Sequence, residues 1–557
     1  MLGRATGPSA FLAAVAALSS CTCPGRQAGP PPERFVPAAV ELALVVPEAG
    51  RAARELAALH AAVAGFPGGA ELVQARGTLG AQLGFDPLDP KALRDAGIEP
   101  RRGAAIASYP LPGRGAADPA RLLVLPVGDA AKLDALFARI ARDRLGAVQR
   151  ASDTRGTVSI TTFATAPGAP PALAYAVVER TALLAAGPLA AEVVAAAAAR
   201  PPPESLAEAA PWKTARRALG DRYAAILFVP PGSRRLAGEW ALKDGVALAT
   251  SGGAEGVRLG AAVLLGDREA SFRALAANGA AAGLVARLDP RAPLAGRFDG
   301  DFSALGRKLL PLLPARERAR LAARGIDPQH DVLDLLAPGA AIALSLPPSL
   351  DLAAVSEEAV RADPLLVGHF EAVLPVRDAA AAAALSERIA PHRAVRAKPP
   401  RGGPRAVAAN PGPSAPAASD PATWRVVTPS GEIAWTVDAQ ARRIVAAGGP
   451  PGALDALRAR LGGAGPGFEP PTQASAAALR GGLGGAVLDP RKLVASVRAL
   501  PDDAFGTGPS GFVVRSVVDR FLEPAARLAA LSAGAELAPG ALLVSLDVEM
   551  RAPGAAP

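Results

Sequence analysis

The chain contains one short stretch twice, and this repetition constrains its fold more than any other feature. Leu125–Asp129 reads Leu-Pro-Val-Gly-Asp, and Leu374–Asp378 reads Leu-Pro-Val-Arg-Asp. The offset of 249 residues also relates Ile140 to Ile389, so it extends from an apolar strand through the helix predicted after it. A register kept across two elements predicts two tandem copies of one unit.

Each copy is predicted to be an α+β unit whose mainly antiparallel sheet is covered by helices. Asp129 and Asp378 follow a strand and precede a helical apolar stripe, so both are predicted helix N-caps rather than metal ligands. Each copy closes on a period-two apolar alternation, at 257–265 and at 542–550. Alternation of this kind predicts a sheet with one buried and one solvated face. The first strand of the second copy is predicted at Leu284–Ala286.

The length of 557 residues exceeds what one compact core holds, which also favours two domains. We place the first α+β repeat at 36–278 and the second at 279–557. A Pro-, Gly- and Ala-rich loop is predicted at 397–423. Residues 1–20 are predicted to be a signal peptide, and residues 21–35 a tether.

The N-terminus carries the clearest chemical signal. Arg4 precedes the apolar run Phe11–Leu18, which is too short to cross a bilayer. The run ends in Leu-Ser-Ser-Cys and resembles a bacterial lipobox, which implies lipidation of Cys21. The chain has two Cys, Cys21 and Cys23, so its body holds no disulfide, thiolate nucleophile or Cys-ligated metal. An ordinary signal peptide with a coincidental Cys is the alternative.

The resemblance to bacterial lipoproteins also implies a location. Thr22 stands where an Asp would favour retention in the inner membrane. The expectation is an exported protein, lipid-anchored in the outer membrane and facing the periplasm.

Recognisable catalytic or cofactor motifs are missing from the sequence. It lacks a Gly-x-Ser-x-Gly elbow, a phosphate-binding loop, a His-Glu-x-x-His motif and an EF-hand loop. The glycine-rich run Gly481–Gly485 leads into a predicted strand, whereas a phosphate site opens a helix. Asp299-Gly300-Asp301 could bind a cation but is more typical of a turn. We therefore predict no catalytic residue, cofactor or metal ligand. The four His are dispersed, at His60, His330, His369 and His392.

The net charge of +9 raises the question of a nucleic-acid partner. The densest basic cluster, at 316–324, is interrupted by Glu317 and has no interleaved aromatic residues. Nucleic-acid binding usually needs a continuous basic surface together with interleaved aromatic residues, so we expect no nucleic-acid partner.

One block resembles a known family. Gly325-Ile326-Asp327-Pro328, followed by Asp331, Leu335-Leu336 and Gly339, is similar to the exported bacterial domain of unknown function 3352 family. The first copy matches its start with Gly97-Ile98-Glu99-Pro100 but lacks the middle of the block. The resemblance implies an exported envelope protein with no assigned activity or cofactor.

Three functions remain open from the sequence. The first is a non-enzymatic, lipid-anchored protein that binds or scaffolds an unknown protein. The second is a periplasmic carrier of an apolar ligand, which requires a continuous apolar cavity of several hundred Å³. The third is a hydrolase without a recognisable motif, which requires two facing carboxylates or a Ser bonded to a His.

Lipidation of Cys21 can be tested by fractionation. Wild type and Cys23→Ser are expected in the detergent-soluble membrane fraction, because several buried acyl chains anchor stably at about 0.8 kcal/mol per CH₂. Cys21→Ser should be unprocessed or released. If Cys21→Ser is processed and fractionates like wild type, the anchor does not exist.

Overall fold

The computed structural model describes residues 29–64, 69–111, 119–233, 242–253, 255–276, 281–312, 315–323, 325–352, 355–393, 423–506 and 508–551. The predicted signal peptide and Cys21 lie outside these ranges. So does the predicted loop, apart from Thr423, which begins a strand.

The described residues form nineteen strands. They are β1 Leu42–Val46, β2 Ala104–Tyr109, β3 Ala120–Pro126, β4 Gln149–Arg155, β5 Val158–Ala164, β6 Leu173–Val178, β7 Thr181–Ala186, β8 Ala225–Val229, β9 Val246–Gly253, β10 Gly256–Leu264, β11 Leu294–Phe298, β12 Ala340–Ser345, β13 His369–Pro375, β14 Thr423–Thr428, β15 Gly431–Asp438, β16 Arg443–Gly449, β17 Gly484–Leu488, β18 Leu528–Ala538 and β19 Ala541–Met550.

Sixteen α-helices are described between these strands. They are α1 Ala49–Val63, α2 Gly69–Leu83, α3 Pro90–Asp95, α4 Ala130–Leu145, α5 Ala190–Ala198, α6 Ala210–Leu219, α7 Glu269–Arg273, α8 Ala281–Val285, α9 Phe302–Leu309, α10 Ala315–Ala322, α11 Glu357–Ala362, α12 Ala379–Arg393, α13 Ala453–Leu461, α14 Gln473–Ala478, α15 Pro490–Arg498 and α16 Gly508–Ala525. No helix in the described ranges is both long and apolar enough to cross a bilayer.

All nineteen strands belong to one sheet, in which every pair of neighbouring strands is antiparallel. The order of the strands in the sheet differs from their order in the sequence. From edge to edge the order is β4-β5-β6-β7-β3-β2-β1-β8-β9-β10-β19-β18-β17-β11-β12-β13-β16-β15-β14. The protein is thus α+β with a large antiparallel sheet and many helices, as the sequence predicts.

The sheet is continuous because β10 pairs with β19. Gly256 lies opposite Glu549 at one end of this pairing, and Leu264 lies opposite Ala541 at the other. Gly260 faces Ser545 at its centre. The strands of residues 42–264 therefore lie on one side of this junction, and those of residues 294–550 lie on the other.

Helices cover one face of the sheet along most of its length. In the first part, α5 and α6 pack over a core that includes Leu122, Ile226 and Phe228, all nearly inaccessible to solvent. In the second part, α8 and α13 pack over a smaller core around Val373 and Val445. We call this side the helix face.

The opposite face is covered near its two ends. The α4 helix packs Leu133 and Phe137 against Tyr175 of β6. The α12 helix packs Leu385 among residues that include Val437 of β15. Between these two helices, α1 lies over the end of β9, where a Cβ atom at Gly252 would stand 3.5 Å from the Leu59 Cβ. Beside α1 the face remains open at Leu248, Leu259 and Leu546.

Both predicted helix caps are confirmed. The Asp129 carboxylate accepts hydrogen bonds from the amides of Ala131 at 3.0 Å and Lys132 at 3.1 Å. Asp378 accepts in the same way from Ala380 at 2.8 Å and Ala381 at 3.1 Å.

One predicted strand is wrong. Leu284 and Val285 belong to α8, and the first strand after residue 279 is β11. A run of three apolar residues fits a helix as well as a strand. Here the buried Asp299 carboxylate accepts a hydrogen bond from the Ala281 amide at 3.2 Å, which caps the helix.

Two further differences concern regions without a strong pattern. The sequence reasoning missed β4, because all seven of its residues are exposed and none forms an apolar alternation. The folded body also begins inside the predicted tether: Pro32, Glu33 and Phe35 are buried, and Pro32–Arg34 forms a 3₁₀ turn.

The caps give a stability prediction. Asp129→Ala and Asp378→Ala should each lower the free energy of unfolding by about 1 kcal/mol, because two amides lose their acceptor. Chemical denaturation of the two variants checks this. The matched replacements Asp129→Asn and Asp378→Asn keep an acceptor and should cost less; equal losses for Ala and Asn would contradict the capping role.

Candidate apolar binding site

The period-two alternation near each predicted repeat end is present, but its apolar side faces away from the helices. Leu259 of β10 and Leu546 of β19 are paired neighbours and are 42% and 38% exposed. The alternate residues of the same two strands, such as Ala262 and Leu543, point to the helix face and are buried. The open side of the sheet is therefore the more strongly aliphatic side.

Cross-strand pairing extends this aliphatic surface across several strands. One row runs from Ile106 on β2 through Leu44 and Leu227 to Leu248 on β9. It continues through Ala261 and Val544 on the other side of the junction. These residues point the same way because side chains directly opposite each other share one face of a sheet.

The surface continues to β12, where Ile342 is 45% exposed and Leu344 is 39% exposed. From β2 to β12 is ten strands, or about 43 Å at the usual spacing of neighbouring strands. The strand residues on this face carry no charge between β2 and β12 in the described ranges; Ser108 and Thr250 are its hydroxyl-bearing members.

The centre of this surface is concave. A cleft of ≈ 390 Å³ lies over β1, β8, β9, β10 and β19. It is lined mainly by aliphatic side chains and backbone: Leu44, Ala225, Leu227, Leu248, Ala249, Thr250, Leu259, Gly260, Ala261, Val544, Ser545 and Leu546. We call this cleft the trough. The α4 and α12 helices cover the two ends of the sheet face on which the trough lies.

The floor of the trough is supported from behind by one aromatic residue. Tyr223 is 1% exposed and lies on the helix face directly over Gly260. A Cβ atom at position 260 would stand 2.2 Å from the Tyr223 hydroxyl oxygen. Only glycine lets the ring approach this closely, at the centre of the β10–β19 junction.

The helix face behind the junction is polar, in contrast to the trough. Arg258 and Asp547, which are opposite each other in the register, form an ion pair across the junction. The hydrogen bond that Arg258 donates to the Asp547 carboxylate raises the pKa of the guanidinium, and burial raises the pKa of the Tyr223 phenol. Two clefts of ≈ 520 Å³ and ≈ 280 Å³ flank this pair. Both acidic and basic side chains line each cleft, so neither cleft has a lining of one charge.

The cation-binding reading of Asp299-Gly300-Asp301 is not supported by the contacts. Asp299 forms a buried ion pair with Arg297. Asp301 caps α9 through the Ala304 amide at 3.0 Å and binds Arg377 at 2.9 Å. Among the described residues no group of three His, Cys, Asp or Glu side chains is placed to hold a metal ion.

The His residues are not gathered into one site. His60 lies on α1 and His369 on β13, where burial lowers the pKa of the imidazole. His330 Nδ1 lies 3.0 Å from Asp334 Oδ2 on the surface. The nearby Ser303 hydroxyl accepts from Arg307 at 2.7 Å, so this cluster lacks the Ser–His contact of a hydrolytic triad. The His392 side chain lies outside the described part.

The glycine-rich run leads into a strand, as predicted. Gly484 begins β17, and the carbonyls of Gly481 and Gly482 accept hydrogen bonds from the buried Arg297 guanidinium. The backbone of these two glycines therefore binds the Arg297 side chain of the same chain. The trough itself was not singled out in sequence reasoning, although the same two alternations build it.

Comparisons with known proteins do not identify the chain. No family model and no curated protein matches it. The solved structures it resembles include crystal forms III and IV of TP0453, both at 10% identity over 43% of this chain. The aligned regions cover 81% and 83% of those chains, with TM-scores of 0.24 and 0.23. A likeness this weak supports no statement about function.

The close approach at Gly260 gives a prediction for the junction. Gly260→Ala should lower the free energy of unfolding by about 1–3 kcal/mol, because the new methyl group forces Tyr223 away from the sheet. Thermal or chemical unfolding measures this. Gly253→Ala on β9 is the control, since a Cβ there meets no atom within 4 Å; equal effects at the two positions would contradict the packing argument.

Proposed function

We propose that this protein is a lipid-anchored envelope protein that binds an aliphatic chain in the trough, without catalysing a reaction. The observation that carries the proposal is the ≈ 390 Å³ cleft on an open, uncharged aliphatic face. Ligand sites in proteins are usually concave, mainly apolar and about 300–1,000 Å³ in volume. This favours the carrier hypothesis over the unrecognised hydrolase.

The lining of the trough indicates the class of ligand. It includes no aromatic ring on which a planar ligand could stack and no ionic group that could pair with a charged one. Leu44, Leu227, Leu248 and Leu259 instead offer flexible aliphatic contacts, each buried methylene of a bound chain being worth about 0.8 kcal/mol. A fatty acyl chain with its head group in solvent fits this surface.

The lipidation that we propose for Cys21 is consistent with this function. Seven residues separate Cys21 from Gly29, where the described chain begins, and they span at most about 29 Å. An anchor on Cys21 would therefore hold the folded body close to a bilayer, which is a source of acyl chains. The resemblance of the block from Gly325 to Gly339 to an exported bacterial family is consistent with export.

We also propose that the trough arose by duplication of one unit, with repeats near 36–278 and 279–557. In the first part the strand order towards the junction is β5-β6-β7-β3-β2-β1-β8-β9-β10. In the second part β14-β15-β16-β13-β12-β11-β17-β18-β19 follows the same pattern of chain order. Under this proposal β4 is an addition to the first repeat.

The junction agrees with a two-fold relation between the repeats. Gly256 and Ala541 each begin the second strand of a terminal hairpin, 285 residues apart. Applying that offset to the pair Gly256–Glu549 yields the pair Ala541–Leu264, which is also observed. Gly260 pairs with Ser545, its own counterpart, so the axis would pass through the trough.

Ligand binding can be measured with a fluorescent fatty acid such as dansyl-undecanoic acid and residues 24–557, which lack the leader and both Cys. Wild type should bind the probe with enhanced emission. Leu248→Glu should weaken binding at least about tenfold, or ~1.4 kcal/mol, because a carboxylate then faces the aliphatic chain.

The control variant is Val427→Glu on β14, where the side chain is 83% exposed and lies outside the trough. It should bind like wild type. Both positions are open to solvent, so both variants should unfold like wild type. The proposal fails if wild type does not bind the probe, or if the two variants weaken binding equally.

A further inference from the structure

The smaller of the two polar clefts behind the β10–β19 junction is built by both parts of the chain. It has a volume of ≈ 280 Å³ and lies between the turn that follows α6 and the α14 helix. Its α14 wall consists of small residues, among them Ala477 and Ala478. A Cβ atom at Gly534 of β18 would meet only the Ser545 hydroxyl within 4 Å, so the space above this strand is open. We call this site the junction cleft.

Four charged side chains line the junction cleft, and two of them pair with each other. These two are Arg258 and Asp547, which form the ion pair across the junction. The other two, Arg222 after α6 and Glu536 on β18, are exposed. Within the described ranges neither of these side chains forms an ion pair or a hydrogen bond. The lining is therefore neutral overall but keeps one unpaired cation and one unpaired anion.

The two unpaired charges belong to opposite ends of the junction cleft. Glu536 lies opposite Leu543 in the pairing of β18 with β19. Burial raises the pKa of the Tyr223 phenol, and the charges of Arg222 and Asp547 act on the same group, so Arg222 lies near Asp547. Leu543 and Asp547 are four residues apart on one strand, or about 14 Å. A ligand that meets both charges must therefore be elongated.

Two buried hydroxyl groups beside the junction cleft have no hydrogen-bond partner in the described part of the chain. They are the Tyr223 phenol and the Ser532 hydroxyl, on residues that are each 1% exposed. Ser532 lies opposite Asp547 in the register, and Tyr223 lies over Gly260 of the junction. Buried polar groups in native proteins nearly always have a partner, so these hydroxyls indicate a place built for polar contacts.

We propose that the junction cleft binds a peptide of two or three residues that has a free amino and a free carboxyl terminus. The carboxylate of the peptide pairs with Arg222, and its ammonium group pairs with Glu536. An extended chain of three residues spans at most about 11 Å, and the two charged side chains can bridge the remaining distance. A single amino acid carries its two charges on one carbon atom, so it is too short to reach both partners.

The small residues of the wall favour a peptide with small side chains. The site lies on the helix face, whereas the trough lies on the opposite face of the sheet. The inference therefore does not require that the trough binds a lipid, and failure of either proposal leaves the other standing.

The test is isothermal titration calorimetry of trialanine into the full-length protein, purified in detergent. We expect saturable binding of one peptide per chain. N-acetyl-trialanine and trialanine amide should each bind at least about tenfold more weakly, because each lacks one charge for a charge-assisted hydrogen bond. Free alanine should not bind measurably at the same concentrations.

Two variants connect the termini to their partners. Arg222→Gln and Glu536→Gln should each weaken the binding of trialanine at least about tenfold, for the same reason. The amide should cost Arg222→Gln no further affinity, since both changes remove one contact, but it should weaken Glu536→Gln again. The matched controls Arg94→Gln and Glu469→Gln change exposed side chains outside the cleft and should bind like wild type.

The contrary outcomes are equally distinct. The proposal is overturned if trialanine shows no saturable binding, or if the blocked peptides or free alanine bind as tightly as trialanine does. It is also overturned if the cleft variants and the control variants have equal affinities. Thermal unfolding of all four variants should match wild type, since the substituted side chains are exposed and unpaired.

Discussion

The β10–β19 pairing is the interaction on which the rest of the structure depends. Main-chain hydrogen bonds along residues 256–264 and 541–549 join two sets of strands into one sheet. Without this pairing, both strands would be edges, with unpaired amides and carbonyls open to any other strand. Because each edge satisfies the other, the sheet stays continuous through its centre, and the trough can extend over strands from both parts of the chain.

Close packing at this junction depends on small residues on its helix face. Gly260 lets the Tyr223 ring lie against the backbone, and the Arg258–Asp547 ion pair bridges the two strands beside it. Leucines and valines occupy the opposite positions of the same strands. The contacts that stabilise the junction therefore lie on the helix face. The larger aliphatic side chains lie on the opposite face and remain available for binding.

Local features were predicted well from the sequence. Asp129 and Asp378 cap helices because an acceptor at that position satisfies free amides whatever the rest of the fold does. The strands β10 and β19 also follow from their alternation, whereas β9 and β18, which pair with them, were not predicted. Prediction failed where the pattern was short or absent, as at Leu284–Val285 and in the exposed, polar β4.

The sequence by itself determined the class of fold, the two capped helices, the alternating strands β10 and β19, and a lipobox-like N-terminus with Cys21 as its lipidation candidate. The tertiary structure decided which side of β10 and β19 is covered, and hence that Leu259 and Leu546 are open. Alternation states only that two faces differ, since its period is set by the local geometry of a strand. Which face is buried depends on helices far away in sequence, such as α6 over β10, and on the pairing of strands almost 300 residues apart.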